Sequence, residues 1–129
     1  MEFDWDTWIV AERRRDEAHS LGMRSRLEQA RKEASRIAER IRAADTDISS
    51  IFLFGSTARG DPASENFDID IAVKDASRFA LLESIALADG FSVDLIQLEF
   101  ASARLVENIN REGITLYGQE KLPCPLVGP

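Results

Sequence analysis

Apolar residues recur at three- and four-residue intervals between about Arg24 and Ala44: Leu27, Ala30, Ala34, Ile37, Ala38 and Ile41. That spacing lays one apolar stripe along a helix, and pairs such as Glu28 and Lys32, four apart, occupy its wet side. Upstream, Trp5, Trp8 and Ile9 repeat the spacing behind the cap-type residues Asp4 and Asp6. Leu21-Gly22 interrupts it, so the pattern predicts a separate N-terminal helix before the packing helix. The period then changes. Ile51-Phe52-Leu53-Phe54 is a continuous apolar run that ends at Gly55-Ser56, as in a buried strand over about 48–54. A short helix is expected from Ser56 to Gly60, because Asp61-Pro62 disfavours continuation, and a loop fills 61–67. From Asp68 to Lys74 the residues alternate, placing Ile69, Ile71 and Val73 on one strand face and Asp68, Asp70 and Ala72 on the other.

The remaining chain alternates in the same way. A helix is expected over about 77–89, carrying Phe79, Leu82, Ile85 and Ala86 on one face and stopping at Gly90. Phe91 to Leu98 is the third strand. A helix from about Ser102 to Glu112 carries Leu105, Val106 and Ile109 and stops at Gly113, and Ile114–Tyr117 adds a short edge strand. The last residues, rich in proline, are expected to fray. The chain divides into a helical extension over 1–22, one domain over 23–120 and a flexible tail over 121–129, with no internal repeat.

Composition narrows the setting. At 129 residues and 44% hydrophobic content the chain can build one domain with a real core. No apolar stretch is long enough to span a membrane, and the run Trp8–Ala11 ends at Glu12-Arg13-Arg14-Arg15, so no secretory signal is expected. The lone Cys124 agrees with a reducing compartment, and a cytoplasmic location is expected. Sixteen basic and 23 acidic side chains leave a net charge of −7, a poor balance for binding nucleic acid through phosphates. An ATP-sized anion remains compatible, because a bound cation can reverse the local field. His19, the one histidine, is expected on the surface without a catalytic role, and Tyr117 in edge-strand packing.

The chemistry gathers at the strand ends. Asp68 and Asp70 share a strand face about 6.5–7 Å apart, and paired metals in phosphoryl-transfer sites lie about 3.5–4 Å apart. Asp94 sits within Val93-Asp94-Leu95-Ile96, where an unpaired charge is costly. If its strand lies beside the second, three carboxylates cluster. Together with a triphosphate they would need divalent cations, and all-oxygen ligation suits Mg²⁺ or Mn²⁺. Gly55 lets the backbone approach a ligand, Ser56 offers a hydroxyl and an N–H at a helix start, and Arg59 could reach a phosphate oxygen or lie in a surface salt bridge. The stretch is not a P-loop, since no Gly-Lys-Ser/Thr follows Gly55.

Gly55-Ser56-Thr57-Ala58-Arg59-Gly60, then Asp68-Ile69-Asp70-Ile71-Ala72-Val73, then Val93-Asp94-Leu95-Ile96, resembles the polymerase-β-like nucleotidyltransferase superfamily. Within it the chain is similar to the minimal nucleotidyltransferase (MNT) antitoxins paired with HEPN toxins. The resemblance covers roughly 24–120 and departs at Phe67, where many relatives carry serine. It implies an α/β (α+β) fold with a mixed three- to four-stranded sheet flanked by helices, to which the N-terminal helix is an addition. It further implies that Asp68, Asp70 and Asp94 are catalytic and bind two Mg²⁺ ions (Mn²⁺ being an alternative), and that Gly55 and Ser56 hold the β- and γ-phosphates of ATP.

The function implied is transfer of AMP from ATP to a tyrosine hydroxyl of a HEPN ribonuclease toxin, which silences it. The expected partners are that toxin and ATP, with no direct nucleic-acid or membrane binding and with assembly alongside the toxin. Two other functions fit the same resemblance. One is a non-catalytic antitoxin that masks the toxin sterically, although a pure binder has no need of three clustered acids. The other is adenylylation of a small hydroxylated compound such as an aminoglycoside, against which weighs the lack of a second core to hold the acceptor.

Overall fold

The computed structural model describes residues 5–60 and 67–118, with side chains from Arg24 onward. Residues 61–66 of the loop expected over 61–67, the tail with Cys124, the cap residue Asp4 and the side chains of Trp5, Asp6, Trp8 and His19 lie outside the described residues. Helix α1 runs from Trp5 to Ala44, followed by β1 (Ser50–Phe54), α2 (Gly55–Arg59), β2 (Ile69–Lys74), α3 (Phe79–Ile85), β3 (Val93–Gln97), α4 (Ala103–Glu112) and β4 (Ile114–Tyr117). A single 3₁₀ turn, Leu98–Phe100, links β3 to α4.

The four strands form one mixed sheet in the order β3-β2-β1-β4. Strand β1 is antiparallel to β2 and β4, and β2 is parallel to β3. One face carries Ile51, Leu53, Ile69, Ile71 and Val73, all buried. These pack under the stripe of α1 read from the sequence, with Ala30, Ala34, Ile37, Ala38 and Ile41 buried and Leu27 at its edge. The alanines at every fourth position let the helix backbone lie close to the sheet, and the isoleucines fill the gaps between strands. Leu82 of α3 completes this layer. The opposite face holds a smaller cluster in which Phe52 and Ala72 meet Leu98 and, from α4, Val106 and Ile109. Among the described residues no helix is long and apolar enough to cross a membrane.

Two elements differ from the sequence reading. The expected break at Leu21-Gly22 is absent, and α1 is one helix of 40 residues. An isolated glycine costs about 1 kcal/mol relative to alanine in a helix, and the leucine, methionine and arginines around Gly22 are good helix formers, so the helix passes through it. Helix α3 begins at Phe79 and ends at Ile85, inside the expected 77–89. Its start is set by Asp45, just after α1, whose carboxylate accepts hydrogen bonds from the N–H groups of Ser77 and Arg78 at 2.7 and 2.9 Å and from the Ser77 hydroxyl at 2.8 Å. Its end is set by Arg40 of α1, which donates to the carbonyls of Ile85 and Leu87. Gly90 therefore serves a turn closed by the Ala88–Phe91 bridge rather than a helix end.

Burial pushes the Asp45 carboxyl up, but the bonds from Arg78, Ser77 and Asp47 outweigh it and hold the group below its ordinary value of 3.8. Its contribution to stability is accordingly complete above pH 3.8 and is lost as the pH falls through the lowered value. Asp45→Ala is expected to destabilise the protein by about 2 kcal/mol at neutral pH, since it removes the shared acceptor of several part-buried donors. Urea unfolding checks this: an unchanged midpoint would show that the α1–α3 junction does not depend on the carboxylate.

Candidate active site

Strand pairing decides which acids meet. Parallel pairing sets Asp70 of β2 opposite Asp94 of β3, and antiparallel pairing sets Phe54 of β1 opposite Asp70. Register partners project to the same face, so Phe54, Asp70 and Asp94 form one row across three strands. The next row, Phe52, Ala72 and Ile96, lies under α4. The acid row is left open: Asp94 is exposed and Asp70 half-buried. Asp68, exposed just ahead of β2, lies near enough for its charge to act on Asp70. The structure thus sets Asp70 beside Asp94, with Asp68 close enough to act on Asp70 through its charge.

Their electrostatics are unbalanced. Burial, reinforced by the charges of Asp94 and then Asp68, pushes the Asp70 carboxyl from 3.8 up to about 6, and Arg59 offsets only part of this. Among the described residues no hydrogen-bond donor or cation is paired directly with the carboxylates of Asp68, Asp70 or Asp94. A half-buried carboxylate beside two like charges favours a positive charge nearby.

The Gly-Ser turn closes one side. Gly55 begins α2 with a φ of 75°, a left-handed conformation that glycine adopts without strain. A Cβ at this position would also collide with the Asp70 carboxylate. Gly55 therefore brings the turn against the acid itself, a closer contact than the sequence suggested. Ser56 follows, half-buried, and its hydroxyl has no partner among the described residues. Thr57 is buried and donates its hydroxyl to the Asp68 carbonyl at 2.6 Å, tying the turn to the start of β2. Arg59 lies in an ion pair with Glu112 of α4 at 3.4 Å, the surface pairing weighed in the sequence, while its charge still reaches Asp70.

Sequence reading missed two residues that hold this turn, Thr57 and Arg31. Arg31 of α1 donates from Nε to the Thr57 carbonyl and from Nη2 to the Ala58 carbonyl, both at 3.0 Å. No local signal marked Arg31, because the carbonyls it binds lie 26 and 27 residues away.

Among the described residues no three acidic, histidine or cysteine side chains converge on one point as a closed metal cage. The donors present are carboxylate oxygens on an open rim. That set fits Mg²⁺, which is commonly held by one or two carboxylates and completed by water and substrate phosphates.

The comparisons with known proteins agree with this fold. A family model described as Polymerase beta, Nucleotidyltransferase matches residues 35–122. The protein adenylyltransferase MntA of Shewanella oneidensis is 35% identical over 80 residues, covering 57% of each chain. The chain thus spans little more than half the length of this curated relative. Among solved structures, a chain of a toxin–antitoxin crystal structure with AMP-PNP matches at a TM-score of 0.54 and 30% identity, covering 67% of this chain and 74% of that one. A chain from the complex of a tri-AMPylated Shewanella oneidensis HEPN toxin with MNT antitoxin matches at a TM-score of 0.53 and 29% identity, covering 70% and 74%. The mixed four-stranded sheet and its flanking helices agree with the fold expected from the sequence.

The raised Asp70 carboxyl carries a signed prediction. Its folded value, about 6, lies above the 3.8 of an unperturbed group, so folding binds a proton between them and stability falls as the pH rises through that window. The full shift would be worth roughly 3 kcal/mol, and solvent screening of a half-exposed group reduces this to about 1 kcal/mol. Asp70→Asn is therefore expected to stabilise the metal-free protein by about 1 kcal/mol at pH 7.5, with the difference vanishing near pH 4. Thermal unfolding across this range checks it, and a variant less stable than the wild type at pH 7.5 contradicts it.

Proposed function

The chain belongs to the polymerase beta nucleotidyltransferase family, and from that premise we propose that it transfers AMP from ATP to a tyrosine hydroxyl of a HEPN-family toxin, acting as its antitoxin in the cytoplasm. The observation that carries the reading is the row of Asp70 and Asp94 in register on parallel strands, with Gly55 pressed against Asp70 and Asp68 alongside. The similarity to a protein named as an adenylyltransferase and to a chain in an AMPylated toxin complex supports the acceptor. Residues 23–120 form the transferase domain in this reading, with 1–22 extending its first helix and 121–129 its tail.

In the proposed reaction the acceptor oxygen attacks the α-phosphorus of ATP. The bond from that phosphorus to the bridging oxygen breaks, and pyrophosphate leaves. Gly55 and the Ser56 hydroxyl and N–H take the β- and γ-phosphates, and Arg59 exchanges Glu112 for a phosphate oxygen. Asp68, Asp70 and Asp94 provide the carboxylate oxygens that would hold divalent cations, two Mg²⁺ or Mn²⁺, which when bound neutralise the triphosphate and the leaving pyrophosphate. Asp94 is exposed at the end of the row, where an acceptor side chain can approach, and it helps to take the hydroxyl proton. The rate gain comes from positioning and charge complementarity.

Intact-mass analysis of a HEPN-family protein encoded beside this chain, incubated with the chain, ATP and Mg²⁺, tests the reading. The expected outcome is a gain of one or more AMP units, reduced by about 10²-fold or more in rate with Asp68→Asn, Asp70→Asn or Asp94→Asn. Undiminished transfer by any of these variants overturns the site assignment. A stable complex that blocks the toxin without a mass gain supports the steric antitoxin instead.

A further inference from the structure

We infer that Arg31, on α1, is a positioning residue for the nucleotide: it fixes the Gly55–Arg59 turn so that Ser56 meets the triphosphate. The inference rests on the nucleotide reading above but concerns a residue outside the family match, which begins at 35. Arg31 is half-buried, and its guanidinium grips two successive carbonyls of α2, Thr57 and Ala58, at 3.0 Å each. These carbonyls lie at the end of a helix of only five residues, too short to hold its shape without outside contacts. A planar fork of fixed geometry can hold both at once, and a lysine ammonium can satisfy only part of that pattern.

Other contacts hold α2 on its strand side and at its end. Thr57 ties the turn to β2 through the Asp68 carbonyl, and Gly60 closes it in the left-handed region with its N–H on the Ser56 carbonyl at 2.8 Å. Gly60 also lies tightly under α1. A Cβ there would sit 3.2 Å from Leu27 Cδ2 and 3.4 Å from Arg31 Nη2. Arg31 thus holds the turn from the helix side while Thr57, directly after Ser56, anchors it from the strand side. Loss of the fork leaves Asp70 and Asp94 in place on their strands but loosens the turn that carries Ser56.

A control away from the turn exists on the same helix. Arg40 also donates to two carbonyls, of Ile85 and Leu87, but at the end of α3. Calorimetric titration of ATP with Mg²⁺ into the wild type, Arg31→Gln, Arg31→Lys and Arg40→Gln, with thermal unfolding of each, tests the inference. Affinity for ATP is expected to fall about tenfold in Arg31→Gln, to recover partly in Arg31→Lys and to stay within about twofold in Arg40→Gln. In transfer assays the KM for ATP rises while kcat changes less than about threefold. Equal ATP affinity in Arg31→Gln and the wild type overturns the inference and leaves the nucleotide reading standing, as does a loss that Arg40→Gln reproduces. Absence of ATP binding by the wild type overturns both.

Discussion

The structure turns on two like charges that the sheet forces together. Parallel pairing of β2 with β3 puts Asp70 and Asp94 side by side, and burial of Asp70 prevents water from fully screening the repulsion. A fold selected for stability alone would place apolar side chains in that row, as it does one step along, where Phe52, Ala72 and Ile96 lie beneath α4. The surroundings accommodate the strain. Gly55 has no side chain to compete with the Asp70 carboxylate, α4 covers the apolar row and leaves the acid row open, and Arg59 offsets part of the charge while paired to Glu112.

Helix α1 is the frame that makes this arrangement rigid. Its apolar stripe closes the far side of the sheet, and its arginines reach over the edges to the shorter elements. Arg26 donates to the Gly90 carbonyl at 2.7 Å and lies over the Phe91 ring at 4.3 Å. Arg31 grips α2 and Arg40 the end of α3, while Arg42 lies over the Tyr117 ring at 4.4 Å. Guanidinium groups suit this work because they bind carbonyls through a planar fork and stack on aromatic faces. Helices α2 and α3, of five and seven residues, are below the length at which helices persist alone, so their ends are set by α1.

Much of this was legible in the sequence where a short-range pattern was sufficient. The alternation around Asp68 and Asp70, the apolar run into Gly55 and the stripe from Leu27 to Ile41 each specify an element and the face it buries. Ser102, N-capping α4 through a bond from the Leu105 N–H, also follows from local rules. The rest depended on contacts remote in sequence. The ends of α3 rest on Asp45 and Arg40, more than 30 residues away, and nothing local marks them. The arginines of α1 read as a solvated face because their spacing with glutamates suits one. Their roles appear only once the strand order places carbonyls and rings beside them. Gly55 was recognised as a point of close approach, but the group that approaches it in the structure is the chain's own Asp70.

The most direct test of the central claim, that the acid row is an unbalanced charge awaiting a cation-bound nucleotide, is the titration of the Asp70 carboxyl carbon followed by NMR. In the free protein the resonance should titrate near the value of about 6 to which burial and the neighbouring acids push it. With Mg²⁺ and a non-hydrolysable ATP analogue it should move below the ordinary carboxylate range, because positive charge then faces the group. An ordinary carboxylate titration in the free protein, unchanged by the cation and nucleotide together, would contradict the claim.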